Sequence, residues 1–79
     1  MKDIEFGTIR LNLDALMEEN NISVNKLAFR SEMQRTQLKS YRDNKVARVD
    51  LAVLARLCYA LDCDISELME YIPPADGQP

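Results

Sequence analysis

The sequence predicts an all-α domain of five short helices packed around one hydrophobic core. Apolar residues recur at helical spacing in five segments, and each segment is bounded by residues that cap or break helices. No segment alternates apolar and polar residues strongly enough to require a sheet. A chain of 79 residues is long enough for one core but not for two, so we expect residues 1–79 to form a single domain.

The first helix is predicted to begin after Asn12, whose side chain can accept from free backbone N–H groups in the first turn. Leu13, Leu16 and Met17 follow at i, i+3 and i+4 spacing, and the helix is expected to end near Asn20. The asparagine pair at 20–21 supplies the break, because asparagine tolerates left-handed backbone.

The second and third helices form the centre of the chain. Ser23 is the expected cap of the second helix, which runs to about Arg30. The third helix is predicted from about Gln34 to Tyr41 or Arg42. Both helices have about two turns, and a tight turn of three to four residues joins them.

The fourth helix is the most apolar, and Asp50 is its expected cap. Its predicted core positions are Leu51, Leu54, Leu57, Cys58 and Leu61. Asp64 and Glu67 match a capping box that opens a fifth helix through Leu68, Met69 and Tyr71, and the prolines at 73–74 stop it. We therefore expect a helical core over 12–72, a short strand or loose arm at 1–10 and a flexible tail at 73–79.

The composition of the chain excludes several kinds of functional site. It has two cysteines and no histidine, which is too few soft ligands for a zinc site, so no metal is expected. Cys58 and Cys63 are interpreted as reduced thiols in the core, with a disulfide as the alternative. Without a nucleophile or acid-base cluster or a glycine-rich phosphate loop, we expect no enzyme and no cofactor. Apolar stretches are far shorter than a bilayer span, which predicts a cytoplasmic protein with no membrane partner.

Charge is distributed unevenly along the chain. The net charge of −3 at first argues against a nucleic-acid partner. However, residues 24–48 hold seven basic and two acidic residues, a net charge of +5, so the rest of the chain carries −8. This polarity predicts one face that attracts a polyanion, and an unevenly charged solvated surface is the alternative.

The spacing within residues 23–41 is that of a helix-turn-helix. Six apolar residues would hold its two helices together: Val24, Leu27, Ala28, Met33, Leu38 and Tyr41. Tyr41 lies at i+3 from Leu38, which favours a core position over stacking on a nucleotide. The outer face of the third helix would then present long polar side chains suited to the major groove.

This segment resembles the Cro and phage-repressor (xenobiotic-response-element) group of bacterial helix-turn-helix regulators, in a short single-domain branch. The matching residues in the helix-turn-helix are Leu27, Ala28, Met33, Arg35, Thr36, Gln37 and Leu38. Downstream, the leucine and cysteine pattern of residues 48–71 is also similar, so the resemblance covers about 12–72. It implies a five-helix lambda-repressor-like DNA-binding domain, associated with the bacterial nucleoid.

The resemblance also implies roles for individual residues. Base contacts are expected from Gln34, Arg35, Thr36, Gln37, Lys39 and Ser40. Arg35 and Gln37 are the strongest candidates, and a merely solvated helix face is the alternative. Phosphate contacts are expected from Lys26, Arg30, Arg42, Lys45 and Arg48.

Two positions depart from the usual family pattern. Glu32 stands where the family usually has a glycine with positive φ, which costs about 1 kcal/mol or changes the turn slightly. Val24 stands where family members often have a glutamine that contacts the DNA backbone, so one phosphate contact is expected to be missing.

The resulting hypothesis is a sequence-specific transcriptional regulator, a repressor, that binds double-stranded DNA as a homodimer. The alternative is a protein-interaction module, antitoxin-like or an adaptor, whose acidic remainder binds a protein partner. Surplus apolar residues that could pair two subunits occur near both ends: Ile4, Phe6 and Ile9, and Met69, Tyr71 and Ile72.

Overall fold

The structure is a computed structural model that describes residues 5–75. Its elements in chain order are β1 (Thr8–Leu11), α1 (Leu13–Glu19), α2 (Val24–Ser31), α3 (Arg35–Arg42), α4 (Leu51–Leu61), α5 (Ile65–Leu68) and β2 (Met69–Ile72). The domain is mostly helical, but the predicted all-α class is wrong in one respect, because β1 and β2 pair as an antiparallel sheet. Ile4 and residues 76–79, the last part of the expected tail, lie outside the described residues.

The two strands, which we call the ribbon, replace the end of the predicted fifth helix. In its register Ile9 faces Tyr71, Arg10 faces Glu70, and Leu11 faces Met69. The helix that was expected to continue through Tyr71 ends at Leu68, because the backbone of the next four residues pairs with β1. Consequently the helical core expected over 12–72 stops at residue 68. Residues 1–10 were predicted to be either a short strand or a loose arm. Residues 8–10 form a strand, which continues to Leu11.

Most of the predicted helix caps are confirmed. The Ser23 hydroxyl accepts from the backbone N–H of Lys26 at 3.1 Å, and the Asp50 carboxylate accepts from Ala52 at 2.8 Å. At α5, the Glu67 carboxylate accepts from the backbone N–H of Asp64 at 2.8 Å, as a capping box requires. The cap predicted at Asn12 is wrong: its side chain makes no capping bond, and its backbone N–H donates to the Leu68 carbonyl at 2.8 Å, next to the ribbon.

One cluster of side chains forms the core, and every helix contributes to it. Its members are Leu11, Leu13, Leu16, Met17, Leu27, Ala28, Met33, Leu38, Tyr41, Val53, Leu54, Leu57, Leu61 and Leu68. The prediction for Leu51 is wrong, since 79% of it is exposed and Val53 takes a core position instead. Leu51 is the first residue of α4. Helical spacing predicts which side of a helix a residue lies on, but it does not show whether another element covers that side at the first turn.

The two cysteines are free thiols, as predicted, but they are half-buried rather than buried. The backbone N–H of Cys63 donates to the Cys58 carbonyl at 3.0 Å, across the end of α4. Burial, together with the neighbouring Cys58 thiol, raises the pKa of Cys63 to about 11. Cys63 is therefore protonated at neutral pH, which makes it a poor nucleophile.

Asn44 connects the end of α3 to the ribbon. It adopts left-handed backbone with a φ of 59° in the turn after α3. Its side-chain oxygen accepts from the backbone N–H of Leu11 at 2.7 Å, and its side-chain nitrogen donates to the Leu11 carbonyl at 3.0 Å. The carboxamide thus pairs with β1 much as a neighbouring strand would.

None of the helices within residues 5–75 combines the length and hydropathy that a membrane crossing requires.

Candidate nucleic-acid interface

The turn between α2 and α3 fixes the direction in which α3 leaves the core. Glu32 follows α2 with left-handed backbone, φ 56° and ψ 43°. The backbone N–H of Met33 then donates to the Ala28 carbonyl at 3.0 Å, which closes the end of α2. Gln34 is extended, and its carbonyl accepts from Leu38 at 2.9 Å as α3 begins. The turn predicted from the family pattern is therefore present, with glutamate in the place of glycine.

Buried contacts hold the two helices of the motif on the core. Leu27 of α2 and Leu38 of α3 are fully buried, and α2 packs against both α3 and α4. Tyr41 is also buried, which confirms its predicted core position, and its hydroxyl accepts from the Asp50 backbone N–H at 3.4 Å. Arg56 of α4 donates from Nε to the Ser31 carbonyl at 2.7 Å, so the end of α2 is tied to α4.

The side of α3 opposite the core is polar and exposed. Arg35, Thr36, Gln37 and Lys39 are all exposed on α3. Gln34 is exposed as well, in the N-cap position just before the helix. Ser40 is half-buried, and its hydroxyl donates to the Thr36 carbonyl at 3.2 Å, which leaves its oxygen to act as an acceptor. The six predicted base-contact residues therefore lie within a single stretch of seven positions, 34–40, at the N-cap and in the first two turns of α3.

One residue at this surface was not among the predicted contacts. Asn25, in the first turn of α2, accepts from Nη1 of Arg35 at 3.2 Å through its side-chain oxygen. The bond joins the first turns of α2 and α3 and directs the guanidinium of Arg35 towards Asn25. Nothing local in the sequence indicates this pair, because the two residues are ten positions apart and meet only through the turn.

The predicted phosphate contacts differ in how free their charges are. Lys26 and Arg30 are exposed on α2, and Lys45 and Arg48 are exposed in the connection between α3 and α4. Arg42 is different, because its Nε lies 3.0 Å from an Asp43 carboxylate oxygen.

The Arg42–Asp43 pair perturbs both groups in the expected directions. The hydrogen bond to Asp43 raises the pKa of Arg42, and the same bond lowers the pKa of Asp43. Arg42 is therefore partly neutralised within the protein, whereas the other four basic residues offer unpartnered charge in the described part of the chain.

Glu32 combines unfavourable backbone with a carboxylate beside the polar face. We expect Glu32→Gly to raise the free energy of unfolding by about 0.5–1 kcal/mol, because glycine adopts positive φ without a steric penalty. Urea denaturation measures the change. Glu32→Gln is the matched control, since it removes the charge and keeps the side chain. Equal stability of the two variants would contradict a backbone origin.

No group of three or more potential metal ligands comes together within residues 5–75.

Comparisons with a family model, with curated proteins and with solved structures all point to helix-turn-helix or transcriptional-regulator proteins. Residues 12–74 match the model of the Cro/C1-type HTH DNA-binding domain. The chain is 27% identical over 63 residues to an uncharacterized HTH-type transcriptional regulator of Bacillus subtilis, YozG, a match that covers 80% of this chain and 75% of that protein. Its fold is similar to the crystal structure of the transcriptional regulator VanUg, with a TM-score of 0.66 and 21% identity over 94% of this chain and 100% of that one.

The family model spans most of the sequence and includes the whole helix-turn-helix together with α4, α5 and β2. It describes DNA-binding domains, not a class of enzymes. The chain belongs to the Cro/C1-type helix-turn-helix DNA-binding family.

Proposed function

We propose that this protein is a sequence-specific transcriptional repressor of the lambda-repressor-like type, which inserts α3 into the major groove of double-stranded DNA. The observation that carries the proposal is the division of α3 into two sides. Leu38 and Tyr41 are buried, and four long or hydrogen-bonding side chains between residues 35 and 39 are exposed. A helix with this division can rest on the core and still reach base edges.

The exposed side chains suit the donor and acceptor pattern of the groove. A guanidinium such as that of Arg35 can donate two hydrogen bonds to the O6 and N7 acceptors of guanine, and a carboxamide such as that of Gln37 can both donate to and accept from adenine. Gln34, Thr36, Lys39 and Ser40 are assigned supporting base contacts. Asn25 positions Arg35 through the bond described above.

The basic residues around α3 are assigned to the DNA backbone. Lys26 and Arg30 lie on α2, before α3 in the chain, and Lys45 and Arg48 lie in the connection that follows α3. Arg42 contributes less, because a phosphate has to compete with Asp43 for its guanidinium. Such contacts give affinity and register without reading sequence.

Two copies are proposed to bind a twofold-symmetric operator, with half-sites about 34 Å apart or a multiple of this distance. One small module buries little surface on DNA, and a second copy increases specific affinity. We also propose that residues 1–79 act as one domain and that the protein works in the cytoplasm, in association with the nucleoid.

The test is selection of binding sites from random duplexes, followed by fluorescence-polarisation titration from 50 to 200 mM salt. We expect a recurring sequence and an observed binding constant that falls steeply with salt, because each phosphate contact releases a counterion. Lys45→Ala and Arg48→Ala should each reduce the magnitude of the slope of log K against log salt by about 1. The reduction should be the same for every duplex sequence. Lack of binding at 50 mM salt would refute the proposal.

A second candidate function is a protein-interaction module, antitoxin-like or an adaptor. Four exposed carboxylates between the end of α4 and β2 favour it, and they would suit a basic protein surface: Asp62, Asp64, Glu67 and Glu70. An equimolar protein partner that stays bound after nuclease treatment and in 1 M salt would support this function.

A further inference from the structure

We propose that Cys58 and Cys63 form a dithiol site, at which a small disulfide compound is reduced while the two cysteines become joined by a disulfide bond. The site, which we call the thiol pair, lies where α4 ends and α5 begins. It is outside the helix-turn-helix, and the reaction requires neither DNA nor a second copy of the chain. The sequence has no other cysteine, so any thiol chemistry of the protein belongs to this pair.

The backbone at the end of α4 holds the two cysteines next to each other. Asp62 has left-handed backbone with a φ of 52°, and its N–H donates to the Tyr59 carbonyl at 3.3 Å. The N–H of Cys63 donates to the Cys58 carbonyl at 3.0 Å. These two bonds are those of a Schellman motif, in which the side chains at the two ends of the turn commonly contact each other. Backbone bonding therefore makes the thiols neighbours, although they are five positions apart.

Two other helices of the chain end in the same way and show what the motif needs for packing alone. At the end of α1, the N–H of Ile22 donates to the Met17 carbonyl at 3.0 Å. At the end of α2, the N–H of Met33 donates to the Ala28 carbonyl at 3.0 Å. Both of these pairs are apolar, and three of the four residues are buried. The thiol pair differs because both of its residues are only half-buried, so packing does not require a thiol at either position and solvent can reach both.

The ionisation of Cys63 depends on its neighbour. Burial is the largest cause that raises the pKa of Cys63 to about 11, and the charge of the Cys58 thiolate is the next. Cys63 therefore keeps its proton at neutral pH, and the first nucleophilic attack falls to Cys58. Once Cys58 is bound in a mixed disulfide, its charge is gone. The pKa of Cys63 then falls towards its ordinary value, which makes the second attack easier.

The reaction is a thiol–disulfide exchange in two steps. In the first step, the Cys58 thiolate attacks one sulfur of the compound R–S–S–R, the S–S bond breaks, and the leaving thiolate takes a proton from solvent. In the second step, Cys63 releases its proton to solvent and attacks Sγ of Cys58, which expels the other half of the compound as a thiolate. The cysteines lose two electrons, and R–S–S–R gains them as it becomes two thiols. An excess of thiol reverses both steps, so the bond is transient wherever thiols are kept reduced.

Charge around the thiol pair favours a positively charged reagent. Asp64 and Glu67 lie close enough to raise the pKa of Cys63 further. Asp62, between the two cysteines, is exposed. These carboxylates attract a cationic disulfide such as cystamine and repel an anionic one such as glutathione disulfide. A metal ion is less suitable, because no group of three or more potential ligands comes together in the described part of the chain.

The experiment treats the reduced full chain with cystamine at mildly alkaline pH and follows the products by mass spectrometry and non-reducing electrophoresis. The wild type should lose two hydrogen atoms, remain a single chain and regain its starting mass in excess thiol. Cys63→Ser should stop at the mixed disulfide, because it keeps the first nucleophile and lacks the second. Cys58→Ser should react more slowly than Cys63→Ser. If circular dichroism shows that one of the two variants is unfolded, the other is compared with the wild type alone.

Two further measurements test the geometry and the choice of reagent. Oxidation should raise the Tm of the wild type by about 5–10 °C, because the bond constrains the unfolded chain around a short loop. Cystamine should react about threefold faster than glutathione disulfide in low salt, after each rate is divided by the rate with free cysteine, and high salt should reduce this ratio.

Several results would overturn the inference. A wild type that does not react, stops at the mixed disulfide or links two chains would show that the two thiols do not meet. An unchanged or lower Tm after oxidation would show that the bond does not fit the turn. A normalised rate that is higher with glutathione disulfide would refute the assigned class of reagent. None of these measurements involves DNA, so the proposed function stands or falls independently of them.

Discussion

Asn44→Ala is expected to lower the free energy of unfolding by about 2–3 kcal/mol. The substitution removes two hydrogen bonds to the backbone of Leu11, which is buried, and leaves its N–H and carbonyl without partners. It also places alanine in left-handed backbone, where asparagine is tolerated better. For a domain of this size the change corresponds to a fall in Tm of about 10–20 °C, measurable by circular dichroism.

Asn21→Ala is the matched control for this prediction. Asn21 is exposed like Asn44 and also has left-handed backbone, with a φ of 51°, but its side chain makes no hydrogen bond within the described chain. Its replacement should lower the free energy of unfolding by only about 1 kcal/mol, because alanine adopts left-handed backbone less readily than asparagine. If both variants lost the same stability, the bonds from Asn44 to Leu11 would contribute nothing.

The double substitution Arg35→Ala plus Gln37→Ala is expected to reduce affinity for the selected operator about 100-fold. Each bidentate contact to a base contributes about 1–3 kcal/mol of discrimination, and both side chains are exposed on α3. Affinity for unrelated duplexes should change much less, because the phosphate contacts remain. Fluorescence-polarisation titration of operator and scrambled duplexes at a single salt concentration measures both quantities.

The pair Lys45→Ala plus Arg48→Ala provides the contrasting control. This double substitution removes two exposed charges outside α3. It should therefore lower the affinity for the operator and for the scrambled duplex by the same factor. If the α3 variant behaved in this uniform way as well, Arg35 and Gln37 would be phosphate contacts rather than readers of sequence.

Local signals in the sequence account for most of the helical part of the fold. Caps at Ser23, Asp50 and Asp64 depend on side chains that bond to backbone within three residues, so spacing alone reveals them. The helix-turn-helix is predictable for the same reason, because its two helices are joined by a short turn. Even the strained conformation of Glu32 follows from the family pattern.

The ribbon could not be predicted in this way. Residues 69–72 read Met-Glu-Tyr-Ile, which is too short to distinguish helical from alternating periodicity. Their conformation is decided by β1, about sixty residues away in the chain, and no local rule contains that information. The bonds of Asn44 to Leu11 and of Arg56 to Ser31 have the same long-range character. At the candidate site, Asn25 was missed because its contact with Arg35 exists only once the turn has formed.

The pairing of β1 with β2 has a consequence for the order of folding. The helices and the turn between α2 and α3 depend on contacts close in sequence, whereas Phe6 and Tyr71 are 65 positions apart. Bringing together two segments so far apart in the chain costs more conformational entropy than forming a local contact. This cost falls once the helices between the two strands have packed, because the strands are then already close in space. The strands should therefore join last during refolding and exchange their amide hydrogens first under native conditions. Arg10, whose amide points to β2, would then lose its protection before Leu38 in the core of the motif.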